Sequence, residues 1–110
     1  MQPLTLLKLF TFAGDNLQTF ASDWVRGPSA YAHARMIVVV KLLTGSSQVQ
    51  VDLEGSMDTD NSNVLAQVLA TAPGTTVQAV GTMKDFIRIR LTASGTSEMV
   101  LSVYLIPEIS

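Results

Sequence analysis

The sequence has no cysteine. That removes disulfide scaffolds, thiolate nucleophiles and cysteine metal sites together, and frees the fold from any dependence on redox compartment. Histidine is nearly as scarce, with His33 the only one. Charge is thin as well: Lys, Arg, Asp and Glu make up 15% of the 110 residues, against about a quarter in ordinary soluble domains. No run of Lys or Arg occurs, the net charge is −2 and the pI is near 5.1. The electrostatic footprint of a nucleic-acid binder is therefore missing. Long apolar runs are missing too. The longest is residues 36–40, resuming at Leu42 after Lys41, far short of the roughly 18 residues a membrane span needs. Residues 1–12 read MQPLTLLKLFTF, where Lys8 interrupts the apolar stretch and no basic residue precedes it. The segment reads as structural rather than as a secretory signal.

What is present is apolar residues at 47%, in a chain of the usual size for one domain. A chain of this length buries roughly two thirds of its unfolded surface, enough for one core without staples. A surface this poor in charge must be covered by Ser, Thr, Asn, Gln and small apolar residues. Such surfaces are common where neighbouring subunits cover a face.

Period-two patterns dominate, which points to strands. Residues 4–12 alternate Leu4, Leu6, Lys8, Phe10 and Phe12 against Thr5, Leu7, Leu9 and Thr11. Residues 13–16 (AGDN) signal a turn, and residues 17–24 fit a second strand ended by Arg26-Gly27-Pro28-Ser29. Residues 30–43 carry Ile37, Val38, Val39 and Val40 in succession. β-branched side chains lose rotamer freedom in a helix, so this reads as a fully buried central strand. Residues 44–47 turn the chain into residues 48–56, with Val49, Val51 and Leu53 inward and Gln48, Gln50, Asp52 and Glu54 outward. These two strands are expected to form a hairpin. After the polar loop 57–63, residues 64–72 (VLAQVLATA) fit either a strand or a helical stripe of Leu65, Val68 and Leu69. Pro73 and the surrounding pattern favour a strand. Residues 75–80 make a short strand. Residues 86–93 alternate Ile87, Ile89 and Leu91 against Phe86, Arg88, Arg90 and Thr92. Residues 94–97 make a hairpin turn, and Met99, Leu101, Val103 and Leu105 line the inner face of the last strand. The expectation is one all-β domain over residues 1–110, an antiparallel β-sandwich or jelly roll of about seven to eight strands.

Few residues invite chemistry. His33 has no evident nucleophile and orienting partner, and reads as a hydrogen-bonded strand residue. Asp58-Thr59-Asp60-Asn61-Ser62-Asn63 resembles the opening of a calcium loop. Its sixth position is Asn63 rather than Gly, and its twelfth is Leu69 rather than Glu. A turn whose Asp and Asn side chains accept backbone hydrogen bonds explains it better. Asp52 and Glu54 lie two apart on one strand face, a spacing open to glycosidase chemistry, but a solvated outward face accounts for them equally. The reading is no catalytic residue, no cofactor, no metal, and no enzyme. Arg88 and Arg90 share a face with Phe86 and are candidates for gripping an acidic neighbour. Trp24 and Tyr31 flank the residue 26–29 turn and serve either as an exposed contact or as a plug at one end of the sandwich.

From residue 48 onward the chain reads VQVDLEGSMDTDN, then a short apolar segment, then DFIRIRLTASGT and EMVLSVYL. Over residues 30–106 this resembles small β-sandwich structural proteins of tailed bacteriophages, of the capsid decoration or cement type. That resemblance implies a virion structural protein on the capsid surface. Its implied partners are the major capsid protein and sister subunits in a homo-oligomer, a trimer above all. Two further readings stay open: a carbohydrate-binding β-sandwich module, and a head–tail joining or tail structural protein. Residues 1–29 lie outside the resemblance, ahead of a sandwich body over 30–106. Their apolar side chains, among them Leu4, Leu6, Phe10, Phe12 and Trp24, must leave water. They either complete the protomer's own sheet or reach a neighbour, and the low surface charge favours the second. Together with Arg88 and Arg90 they are the candidate protein interface.

Overall fold

The computed structural model describes residues 4–13, 19–27, 33–44, 48–81, 84–94 and 98–108. Those residues form nine strands and no helix: β1 (Leu4–Ala13), β2 (Thr19–Ala21), β3 (Val25–Arg26), β4 (His33–Leu43), β5 (Gln48–Ser56), β6 (Asn63–Ala70), β7 (Gly74–Val80), β8 (Phe86–Ser94) and β9 (Glu98–Glu108). Sheet A has the order β1-β9-β4-β7, and sheet B the order β2-β8-β5-β6 with β3 also on β8. Every pairing is antiparallel.

The expected second strand is split in two, which raises the count to nine. Thr19–Ala21 faces residues 90–92 of β8, and Val25–Arg26 faces residues 86–87. Between them Ser22 keeps contact, its N–H donating to the Ile89 carbonyl at 2.8 Å and its Oγ accepting from the Ile89 N–H at 3.0 Å. With β2 and β3 taken as one interrupted edge strand, the two sheet orders are those of a jelly roll.

The alternation places the core as expected. Val49, Val51, Leu53, Ile87, Ile89, Leu91, Met99, Leu101, Val103 and Leu105 are all fully buried between the sheets, joined by Met36, Val38, Val40 and Val80. Residues 63–70 resolve as strand, with Ala66, Val68 and Ala70 inward.

Three expectations are corrected. β4 and β5 do not form a hairpin, because β4 lies in sheet A and β5 in sheet B. The same holds for β8 and β9. Turn residues and alternation specify that the chain reverses. They do not specify whether it returns beside the same strand or across the core, since both destinations demand the same inward face. Among the described residues, only β5 and β6 form a hairpin within one sheet. Next, β4 is central but not buried on both sides: Ala34, Met36, Val38 and Val40 face the core, while Ile37 and Val39 are half-exposed on the outer face. Last, Asp52 and Glu54 point away from the core yet are buried, for reasons given below.

Strand β1 is an edge of the protomer's own sheet A. It pairs with β9 from Leu4 opposite Leu105 to Ala13 opposite Glu98, with register shifts around Leu7 and Phe10. At Leu9 the backbone takes a φ of 50°. The Leu9 N–H, turned out of the ladder, donates to the buried Oγ of Ser102 at 2.9 Å. A buried hydroxyl thereby satisfies the donor that the bulge releases. Leu4, Leu6, Leu7 and Phe10 are partly buried against the core. The Phe10 ring meets that of Phe20 on β2 with centroids 4.5 Å apart, closing this side of the sandwich. Leu4, Leu6, Leu7 and Phe10 thus find partial cover inside the protomer, while Leu9 stays 48% exposed. The side chain of Phe12, and Tyr31, lie outside the described residues.

Candidate functional site

The outer face of sheet B carries the densest set of polar and aromatic side chains. Its construction follows from register. Asp52 and Glu54 of β5 lie opposite Arg90 and Arg88 of β8, and Asp52 lies opposite Gln67 of β6. Period two puts all five on the outer face.

These residues bind one another. Arg88 Nε donates to Glu54 Oε1 at 2.7 Å, and Arg90 Nε donates to Glu54 Oε2 at 3.1 Å. One carboxylate therefore bridges both guanidiniums, one straight across the ladder and one diagonally. Asp52 is held from the other side. Gln67 Nε2 donates to its Oδ1 at 3.0 Å, and Gln50 Nε2 approaches both oxygens at 3.2 and 3.3 Å. The long stems and heads of these neighbours roof the two acids, which is why Asp52 and Glu54 are only 6% and 7% exposed on an outward face. Two carboxylates and two guanidiniums leave no net charge.

The aromatic groups extend this layer toward β3. The Arg88 guanidinium lies 4.4 Å from the centre of the Trp24 ring, and the Arg26 guanidinium lies 5.7 Å from that of Phe86. Both are cation–π distances. Trp24 is half-buried, held by the backbone that links β2 to β3, and Arg26 is exposed at the end of β3. Gly27 makes the close return possible: its N–H donates to the Asp85 carbonyl at 2.7 Å, and a Cβ there would overlap the Lys84 carbonyl oxygen.

Of the candidate interface residues, the structure brings together Trp24, Arg88 and Arg90. Leu4, Leu6 and Phe10 lie on β1 in sheet A, apart from them. Sequence reasoning treated Asp52 with Glu54 and Arg88 with Arg90 as separate pairs. It missed that Glu54 holds both arginines while Gln50 and Gln67 hold Asp52, and it missed Arg26. The available signal was complementary: an acid–x–acid strand and an Arg–x–Arg strand in the same alternation invite cross-strand pairing.

The Asp58 loop is a turn of the expected kind. Asp58 Oδ1 accepts from the N–H groups of Asp60 at 2.9 Å and Asn61 at 3.0 Å and from Ser56 Oγ at 3.0 Å. Those hydrogen bonds, the Asn61 and Asp60 N–H groups first and the Ser56 hydroxyl next, hold its carboxyl down to a pKa of about 2. Ser56 Oγ accepts in turn from the N–H groups of Asp58 and Thr59. The oxygens of Asp58 face inward to the turn's own donors. Among the described residues no group of three or more His, Cys, Asp or Glu side chains is gathered as metal donors. His33 is exposed at the start of β4.

No family model matches the chain, and no curated protein matches it. The fold is shared with the PBSX exported protein XepA. That crystal structure superposes with a TM-score of 0.70 over 99% of this chain, at 12% sequence identity. This chain spans 37% of that chain's length, so the likeness concerns one portion of XepA and the fold alone. The CBM22-1–GH10 modules of Clostridium thermocellum endo-1,4-β-D-xylanase 10B, complexed with xylohexaose, give a TM-score of 0.48 at 16% identity, over 96% of this chain and 25% of that one.

Proposed function

We propose that this chain is a structural module of a phage particle, a capsid decoration protein that binds the major capsid protein and stabilises the shell. The observation that carries the reading is the outer face of sheet B. It presents Trp24, Phe86, Arg26, Arg88 and Arg90 on one sheet face, with Arg88 and Arg90 held in place by Glu54. Arginine and aromatic side chains held in place lose little entropy on contact and are the groups enriched where protein partners bind tightly. The resemblance of VDLEGSMDTDN and DFIRIRLTASGT to phage structural proteins supports the same reading. The test is co-sedimentation with shells assembled from the major capsid protein of its own virus. The wild-type chain should sediment with them, and Arg26→Glu should lose binding with an unchanged melting temperature. A wild-type chain that stays in the supernatant would overturn the reading.

A second reading is favoured by one specific feature. Trp24 and Phe86 lie beside Arg, Asp and Gln side chains on an open sheet face, a combination that also suits a sugar chain. Affinity electrophoresis in gels containing soluble polysaccharides separates the two: a glycan module is retarded and loses retardation in Trp24→Ala.

A further inference from the structure

A sandwich exposes four sheet edges, and each is a template for another strand unless it is blunted. Three of the four are blunted here. The β1 edge carries Lys8, two register shifts and the positive φ of Leu9. The β2–β3 edge is broken in the middle and carries Asp23 and Arg26. The β6 edge bends at a register shift opposite Leu53 and Glu54.

The fourth edge, β7, has no break, no register shift and no charge, and its positive φ falls on Gly74 at its very start. It pairs with β4 in unbroken register, from Val80 opposite Ala34 to Gly74 opposite Val40. On its other side no described strand pairs with it. Its sequence, GTTVQAV, has no charge and no proline. Its neighbours along the sequence add none, because residues 61–83 contain no Asp, Glu, Lys, Arg or His, although across the ladder Arg35 of β4 lies opposite Ala79. That stretch builds β6 and β7, the two edges on one side of the sandwich, and leaves Val64, Leu69 and Val77 exposed at 53%, 57% and 54%. A regular row of free backbone donors and acceptors, flanked by β-branched and small neutral side chains, is completed by one kind of occupant, an extended strand.

The sequence of β7 says which strand. Antiparallel pairing of β7 with its own copy, centred on Val77, sets Val77 against Val77, Thr76 against Gln78 and Thr75 against Ala79. Each cross-strand pair is neutral and sterically small, and Thr with Gln supplies a hydrogen-bonding pair. No like charges meet. The two-fold axis of that pairing runs along the sheet normal, so the same operation turns the β6 edges of the two copies toward each other. The pairing uses up the edge in both partners and closes on itself.

We propose that β7 is a self-association edge: two copies pair β7 to β7 and join their four-stranded sheets A into one eight-stranded sheet. This does not rest on the capsid reading, since it is measured on the purified chain alone. The experiment is sedimentation equilibrium of the wild type and of Val77→Lys, with Val77→Cys as a positional probe. The wild type should be a dimer. Val77→Lys should raise the dissociation constant about tenfold or more, because two ammonium groups then face each other across the axis, while its melting temperature at a concentration where both are monomeric stays the same. Val77→Cys should form a disulfide-linked dimer under mild oxidation, and Thr19→Cys on the opposite edge should not. A wild-type chain that stays monomeric at its solubility limit overturns the proposal. So does a dimer that Val77→Lys leaves intact.

Discussion

Arg88 Nε donates a 2.7 Å hydrogen bond to Glu54 Oε1, and the carboxylate so engaged is nearly sealed from water although it lies on the outside of a sheet. Removing it strands two guanidiniums that were ordered around it. Breaking a buried ion pair costs about 3–5 kcal/mol. The Arg88 and Arg90 side chains keep 20% and 34% exposure and regain water, which lowers the cost. Glu54→Ala should therefore destabilise by about 2 kcal/mol. Urea denaturation checks this as a shift in midpoint with an unchanged slope.

Asp58 makes the domain sensitive to acid in a defined window. Its folded pKa is about 2, below the ordinary 3.8, because the turn's N–H groups and the Ser56 hydroxyl hold the carboxylate. A folded-state pKa that is depressed gives stability present above the unfolded value and lost as pH falls toward the folded one. Wild type should therefore exceed Asp58→Ala by a constant margin above about pH 5, where both states are ionised. That margin should shrink as pH falls through 3.8 and then 2, and reach its minimum below pH 2. Thermal melts of both proteins across this range check it. A margin independent of pH would mean that the turn does not use the charged form.

Much of this architecture was legible in the residues, and the illegible part has a physical cause. Ile87, Ile89 and Leu91 declare an inner face by alternation alone, as do Val49, Val51 and Leu53, and both sets are buried as read. Sheet membership was not legible. β4 and β5 look like a hairpin because reversal and alternation are local, whereas the choice between pairing and crossing is made by distant strands such as β9. The candidate site was half legible for a related reason. Arg88 and Arg90 announce a functional-looking face. Their joint grip on Glu54 depends on a register set by the whole ladder, from Gln48 opposite Ser94 to Ser56 opposite Phe86.

Two glycines should respond differently to the same change. At Gly27 an added methyl group would overlap a backbone atom, the Lys84 carbonyl oxygen, and press on Ile87 Cγ2 at 3.2 Å. At Gly55 it would meet Leu65 Cδ1 at 2.6 Å and Lys84 Cγ at 2.7 Å, both on side chains that rotate. Gly27→Ala should cost about 2–3 kcal/mol through a forced backbone shift, and Gly55→Ala about 1 kcal/mol or less. The order of the two denaturation midpoints is the check. Equal costs would mean that the 84–85 segment moves as easily as a side chain.

The last prediction concerns β1. Its chain supplies β9 with its only described neighbour on that side, and its Phe10 covers the gap between the sheets by stacking on Phe20. Losing an aromatic from a packed site costs about 3–5 kcal/mol. Phe10 is only partly buried, so Phe10→Ala should cost about 2 kcal/mol. Deleting residues 1–13 removes much more. It unpairs the side of β9 that faces away from β4, exposes the outer edges of Leu101, Val103 and Leu105, and leaves the buried Ser102 hydroxyl without the Leu9 N–H. Leaving that much apolar surface and backbone uncovered approaches the whole stability of an average small domain. The truncated chain should therefore lack a cooperative unfolding transition, by circular dichroism and by calorimetry alike. A truncated body that still melts cooperatively near the wild-type temperature and loses only self-association would reverse the assignment. β1 would then be an exchangeable arm that serves a neighbouring copy, and Phe10→Ala would lower association rather than stability.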